Sequence, residues 1–334
     1  MRVAVDAMGG DLAPRAVVEG AAAAVRATGV GATLVGPPVL LRAELDRVPD
    51  AAALDITIAP AADMVGMGET PARALRHKPQ ASIKVAAELV ANGEAGAFFS
   101  AGNTGATVLA AYRALGLLEG AERPALAATL PTRSGAAVLL DVGANANCRP
   151  RHLLTFGIMG AVFARVGLGT GEPRVGLVSI GEEDTKGNAL TRDAHALLKS
   201  SRLQFIGNVE ARDVYSGAAD VVVCDGFTGN VVLKVSEGVV EMIDAVWRQG
   251  ASSERGTPGQ SAAAEAFDRF RTRVDYSEYG GALLLGVAGV CIVGHGRSSA
   301  KAVCNAIVMA HRFATDGLVP RIQQELLALQ GMAS

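Results

Sequence analysis

The stretch from Asp220 to Met242, DVVVCDGFTGNVVLKVSEGVVEM, constrains the fold more than any other. It opens with Val221, Val222 and Val223, a short β-branched run of the kind found in buried parallel strands. It turns through Asp225-Gly226-Phe227-Thr228-Gly229-Asn230. Val232, Val235, Val239 and Met242 then recur three or four apart, which predicts a helix. A strand, a glycine turn and a helix form a device for holding an anion. Glycine lets the backbone approach the ligand, and the N–H groups of the first helical turn point at it.

The device recurs. Phe98-Phe99 leads into SAGNTGA, residues 100–106, and Val138-Leu139-Leu140 into DVGANANCRP, residues 141–150. The run from Val175 to Ile180 leads into GEEDTKGN, residues 181–188. The chain itself begins with Val3-Ala4-Val5, then DAMGGD, then a helix from about Pro14. Alternating strands and helices predict an α/β fold with a mostly parallel sheet. Loops that follow parallel strands gather along one edge, where ligands bind. The glycine loops are therefore expected to face a single crevice.

Half of the 334 residues are hydrophobic, enough for a large core, and the formal net charge of -2 argues against a general nucleic-acid binder. Cys148, Cys224, Cys291 and Cys304 show no CxxC spacing, so neither a disulfide framework nor a zinc site is expected. The five histidines, His77, His152, His195, His295 and His311, show no HxxxH pattern, and no metal or other cofactor is expected. Each reads as structural except His295, which directly follows a strand. The first residues read as a strand, so no leader is expected, and the longest apolar stretch, 282–293, is too short to span a bilayer. The expected setting is cytoplasmic.

Along the chain, residues 61–80 read as a loop with a basic end at Arg73, Arg76, His77 and Lys78. Residues 126–140 read as two strands about the turn PTRSG. Residues 249–260 are polar and glycine-rich, and 261–274 form a weakly amphipathic helix, so 248–275 reads as a projecting helical hairpin within a single unit spanning 1–334.

Lys186 lies in the most chemical of the loops and is read as a point charge on an anion. Asn188 follows it. Thr228, Gly229 and Asn230 offer neutral donors, as do Ser100, Asn103, Thr104 and Gly105 in SAGNTGA. Asp141, Gly143 and Asn145 come from DVGAN, and Asp6, Gly9 and Gly10 from DAMGGD. Each asparagine reads equally well as a helix cap. There is no GxxxxGK[ST] loop, no GxGxxG fingerprint and no GxSxG elbow. A phosphate site without a visible covalent nucleophile suggests that phosphate is itself a reactant.

These motifs together resemble the PlsX family, the bacterial acyl-acyl carrier protein:phosphate acyltransferases of phospholipid synthesis. The matching stretches are VAVDAMGGDLAP, SAGNTGA, DVGAN, GEEDTKGN, VVVCDGFTGNVVLKVSEG and YGGALLLGV followed by HGRSS, in order over nearly the whole chain. The resemblance implies attack of inorganic phosphate on the thioester of a fatty acyl-acyl carrier protein, giving acyl phosphate and free carrier protein. It implies a three-layer α/β/α fold like phosphate acetyltransferase and isocitrate dehydrogenase, with two intertwined subdomains, acting as a homodimer. Lys186 and Asn230 match the positions that serve the reaction. It further implies an acidic carrier docking on Arg269, Arg271, Arg273 or the Arg73–Lys78 patch, and a downstream glycerol-3-phosphate acyltransferase. Some members carry an apolar hairpin tip that touches the inner face of the plasma membrane; here 249–260 is polar, so such contact is expected to be weak. An acyl-CoA phosphotransferase, a metal- and NAD-dependent dehydrogenase on the same architecture, and a non-catalytic anion-binding protein are the alternative readings. The dehydrogenase would need a cluster of metal-binding aspartates, and none is evident.

Overall fold

Short apolar runs bounded by turn residues pair as strands, and the periodic stretches between them cover the sheet as helices. The computed structural model describes residues 1–253, 258–274 and 276–330. The first part of the chain supplies β1 (Arg2–Asp6), α1 (Arg15–Thr28), β2 (Gly31–Gly36), α2 (Pro38–Leu45), β3 (Ile56–Pro60), α3 (Pro71–His77), α4 (Ser82–Ala91), β4 (Ala97–Ser100) and α5 (Thr104–Leu115). The middle supplies β5 (Ala125–Thr132), β6 (Gly135–Leu140), α6 (Pro150–Leu168), β7 (Arg174–Val178), α7 (Ala189–Lys199), β8 (Gln204–Val209) and β9 (Val221–Val223). Then come α8 (Gly226–Ser253), α9 (Pro258–Val274), β10 (Ala282–Leu285), β11 (Val290–Val293), α10 (Ala300–Thr315) and α11 (Leu318–Gln330).

The strands form one sheet in the order β3-β2-β1-β4-β11-β10-β5-β6-β9-β7-β8. Strand alternation sends neighbouring side chains to opposite faces. Val3 and Val5 enter one core and Ala4 the other; Phe99 and Phe98 divide in the same way, as do Val221 and Val223 against Val222. Phe98 and Phe99 are both fully buried, each contributing about 1.5–3 kcal/mol. Helices α1, α2, α6, α7, α10 and α11 cover the first face, and α3, α4, α5 and α8 the second. This is a three-layer α/β/α architecture.

Strand direction corrects the expectation of a single crevice. β10 is antiparallel to both of its neighbours, β11 and β5, and β5 is antiparallel to β6. Strands β1, β2, β3, β4 and β11 therefore run one way, and β6, β7, β8 and β9 the other. The loops after β1, β4 and β11 lie at one edge, called upper here. Those after β6, β7 and β9 lie at the lower edge. The one-edge rule holds for a uniformly parallel sheet, and three antiparallel joints in succession, an odd number, reverse the second half.

Other boundaries also differ. Residues 61–80 contain α3, which starts at Pro71 where proline suits a first helical turn. GFTGN is the opening of α8 rather than a loop before it. The polar run 249–260 is largely helical, divided between α8 and α9, and residues 254–257 and 275 of the expected hairpin lie outside the described residues. α9 folds back on α8: Trp247 stacks on Phe267 at 4.4 Å, and Arg271 reaches Asp244 at 3.4 Å. Among the described residues, no helix is long and apolar enough to cross a membrane.

Candidate active site

At the lower edge the chain is folded around one carboxylate. Asp141 is fully buried. Its Oδ1 accepts from the backbone N–H of Leu126, Gly143 and Ala144, at 3.0, 3.1 and 2.9 Å. Its Oδ2 accepts from the N–H of Asn145 at 2.7 Å and from its side-chain amide at 2.9 Å. Burial pushes the Asp141 carboxyl above its ordinary range, against these donors, which favour the charged form. Asn145 spends its remaining donor on the carbonyl of Pro124 at 2.7 Å. Both residues build the loop instead of offering side chains to a ligand.

α8 begins against this loop. The Gly226 N–H donates to the Asn145 carbonyl at 2.8 Å. Asp225 accepts from the N–H groups of Phe227 and Thr228 at 3.0 and 2.9 Å, and from the Thr228 hydroxyl at 2.8 Å. Thr228 is thus committed to the helix cap. A Cβ at Gly229 would stand 1.9 Å from the Asp141 carbonyl oxygen, so only glycine lets α8 approach so closely. The next residue, Asn230, is exposed, and its Oδ1 lies 3.7 Å from where a Cβ on Gly143 would be. Gly143 has φ +138°, which excludes a side chain on backbone grounds. Asn230 therefore overhangs a bare stretch of loop.

β9 lies between β6 and β7, so the loop after β7 is two strands from Asp141 along the same edge. Lys186 is exposed on it. Asn188 caps α7 by accepting from the Thr191 N–H at 2.9 Å. Lys78, Lys84, Lys199, Lys234 and Lys301 pair with Glu69, Glu88, Asp184, Glu237 and Glu278. Among the described residues, Lys186 is the one lysine without a carboxylate within ion-pair distance.

The upper edge is built on Asp6, also buried. The Ser100 hydroxyl donates to its Oδ2 at 2.7 Å, and the Gly102 N–H donates to the Ser100 oxygen at 3.1 Å. Gly9 packs so close that a Cβ would meet Asp6 Oδ2 at 2.6 Å, and Gly10 lies beside Gly296. Asn103 caps α5 through the Ala106 N–H at 3.0 Å and donates to the carbonyls of Met67 and Glu69 at 2.9 and 3.1 Å. Thr104 and Gly105 are exposed at the start of α5. His295 accepts at Nδ1 from the Arg297 N–H at 3.1 Å, and its Nε2 lies 3.7 Å from Glu237 and 3.4 Å from Lys234, both on α8. The structure thus gathers Asn230, Gly143, Thr228, Gly229 and Lys186 at one edge. Asp6, Gly9, Gly10, Ser100, Asn103 and His295 are at the other.

A groove of about 580 Å³ runs on the α5 side from Gly105 down to Gly143, Ala144 and Asn145. Val108, Leu109 and Tyr112 also line it, with Glu122, Arg123, Pro124, Arg149 and His152. Sequence reading gave none of these a role in the site, taking Val108, Leu109 and Tyr112 only as the helix after SAGNTGA and His152 as structural. The signal available was the helical spacing of Gly105, Val108, Leu109 and Tyr112, which puts them on one face of α5. His152 is buried; burial pushes its pKa down, while Glu122 at 3.2 Å pulls it up. Burial raises all four thiols above their ordinary range, Cys148 to about 11, which disfavours the thiolate form in each.

The three-layer α/β/α fold and its relatives define the class of protein. Residues 1–321 match the family described as fatty acid synthesis protein. The chain is 48% identical over 327 residues to the phosphate acyltransferase of Geobacter sulfurreducens, covering 98% of this chain and 94% of that one. It is 49% identical over 332 residues to the phosphate acyltransferase of Syntrophotalea carbinolica, covering 99% and 94%. Among solved structures, a phosphotransacetylase from Streptococcus pyogenes shares the fold with TM-score 0.67 at 17% identity, over 95% of this chain and 94% of that one. A branched-chain phosphotransacylase from Enterococcus faecalis gives TM-score 0.57 at 15% identity, over 94% and 99%. The chain belongs to the fatty acid synthesis protein family, the PlsX family, and is an acyltransferase.

Proposed function

We propose that this enzyme transfers a fatty acyl group from acyl carrier protein to inorganic phosphate. The observation that carries the reading is Lys186, an exposed ammonium with no ion pair among the described residues, at the sheet edge where Asn230 overhangs Gly143. A phosphate oxygen attacks the thioester carbon, the C–O bond forms, the C–S bond breaks, and the carrier leaves as a thiol after taking up a proton. Lys186 holds and orients phosphate, with loop N–H groups on its other oxygens. The Asn230 amide donates to the oxyanion growing on the thioester carbon. No acyl-enzyme is needed, and much of the rate comes from positioning. The acyl phosphate then serves a glycerol-3-phosphate acyltransferase.

The test is a mass-spectrometric assay with palmitoyl-acyl carrier protein and phosphate, trapping acyl phosphate with hydroxylamine. Phosphate-dependent hydroxamate with matching release of carrier thiol is expected. Turnover without phosphate would sink the reading.

The working unit is a homodimer joined through α8, each copy one catalytic unit of two intertwined halves. Phe227, Val231, Val235, Val239, Met242 and Val246 are all exposed, from 45% to 67%, and recur every three or four residues. They make one stripe about 29 Å long at 1.5 Å per residue, more apolar surface in one line than a monomer usually leaves to water. A second copy of α8 covers it, and Val235→Glu with Val239→Glu should shift the sedimentation coefficient to that of a monomer. The carrier docks on Arg73 and Arg76 of α3, exposed and without ion pairs among the described residues. The α9 alternatives are partly spent, Arg271 on Asp244 and Arg273 on the carbonyls of Thr132 and Arg133. A KM for carrier that ignores salt would remove this surface. Membrane contact through the hairpin is weak, with co-sedimentation on anionic vesicles as the check.

A further inference from the structure

The groove starts at Gly143, which Asn230 overhangs, and the transfer step leaves the rest of its lining without a role. Along α5, Gly105 to Tyr112 makes a wall about 10 Å long at 1.5 Å per residue, with Val108 and Leu109 apolar and Tyr112 half exposed. Two arginines, Arg123 and Arg149, stand in the groove lining. The local carboxylate does not neutralise them. Glu122 faces His152 at 3.2 Å and Arg151 at 3.6 Å, and among the described residues neither Arg123 nor Arg149 has an ion pair. The Arg149 N–H donates to His152 Nδ1 at 3.1 Å, which leaves the ring proton on Nε2, toward Glu122. The groove lining therefore combines the apolar residues of α5 with two arginines that have no ion pair among the described residues, and it reaches Gly143, which Asn230 overhangs.

A fatty chain has no use for two cations, and inorganic phosphate has no use for an apolar wall. A phosphopantetheine arm needs both, with a thioester at one end, a slender amide chain between, and a phosphate at the other. We infer that this groove receives the phosphopantetheine arm of the donor, with Arg123 and Arg149 on its phosphate and the Val108-Leu109-Tyr112 wall along its chain. The inference rests on the reading above, that the donor is a thioester. Guanidinium suits the task because its fork meets two phosphate oxygens at once. Acyl carrier protein and coenzyme A carry the same arm, so the chemistry is common to both sources.

The experiment compares three donors at saturating phosphate: palmitoyl-acyl carrier protein, palmitoyl-CoA and palmitoyl-pantetheine, which lacks the phosphate. Arg123→Ala, Arg149→Ala and the two lysine replacements are assayed with each. Both arginines are exposed, so the variants should fold; Tm measurements check this. Each alanine replacement should lower kcat/KM for phosphorylated donors about tenfold relative to palmitoyl-pantetheine. Lysine should restore part of the loss, because it keeps the charge and loses the fork. A relative drop with both phosphorylated donors supports the shared site, and a drop with the carrier donor alone assigns it to the protein-bound arm. Equal losses on all three donors, or none, would overturn the arm site while leaving the transfer reaction standing. A wild-type enzyme inactive with every donor would instead overturn the reading beneath it.

Discussion

At the upper edge of the sheet Asp6 ends β1 and Ser100 ends its neighbour β4; at the lower edge Asp141 follows β6 and Cys224 follows its neighbour β9. Each pair leads into the same four-residue pattern: Gly102-Asn103-Thr104-Gly105 above, Gly226-Phe227-Thr228-Gly229 below. Each buried carboxylate ties its own loop together. The two ends part over one asparagine. Above, Asn103 precedes the threonine, caps α5 and gives both amide hydrogens to the carbonyls of Met67 and Glu69. Below, Asp225 does the capping, and Asn230, after the last glycine, is left exposed over Gly143. Two similar frames therefore differ in whether the asparagine's hydrogen bonds are spent on the fold or remain for a ligand.

Replacing those asparagines should separate the edges most sharply. Asn230→Ala is expected to lower kcat about 100- to 1,000-fold with little change in Tm, and Lys186→Ala to lower it comparably and raise KM for phosphate. Near-normal turnover in either would erase the distinction between the edges. Asp141→Asn comes next, because it sets an amide donor against a shell of five N–H groups. We expect a cost of about 3 kcal/mol in urea unfolding. Asp6→Asn should cost less, since the Ser100 hydroxyl can turn from donor to acceptor; equal costs would break the contrast. Asn103→Ala should cost about 1 kcal/mol of stability, the usual value of a lost cap.

The smallest effect is a slope with pH. Burial pushes the Asp6 carboxyl above its ordinary 3.8, opposed by the hydroxyls of Ser82 and Ser100. A raised pKa in the folded state means that the stabilisation is fully present below 3.8 and lost as pH rises through the raised value. The stability of wild type minus that of Asp6→Asn should therefore fall as pH climbs above 3.8. A difference that grows with pH would mean that the hydroxyls outweigh burial.

The strand-loop-helix units were legible because their signals are local: β-branched runs such as Val221–Val223, glycines at the turn, apolar spacing along α8. The direction of β6, β7 and β9 was not, because it is set by β10 and β5, whose antiparallel pairing is a long-range fact with no local mark. Candidate residues such as Gly9, Gly143 and Lys186 lie on loops after strands, whereas Thr104, Gly105, Thr228, Gly229 and Asn230 belong to the first turns of α5 and α8. What sequence could not divide was cap from ligand, since Asn103, Asn188 and Asn230 carry the same side chain after similar turns, and only the carbonyls around Asn103 commit it. The groove arginines escaped because Arg123 beside Glu122 and Arg149 near Arg151 carry no local mark of a site, and only the fold brings both, from two loops, into one groove lining.

The position of β10 and β11 bears on how the chain is made. β3-β2-β1-β4 and β5-β6-β9-β7-β8 share no strand ladder; residues 282–293 join them by pairing β11 with β4 and β10 with β5. Until residues 282–293 are made, β4 and β5 each lack the partner that this sheet gives them at its centre. Through most of synthesis β4 and β5 are open templates for any other strand, and closure falls to the hairpin that arrives almost last.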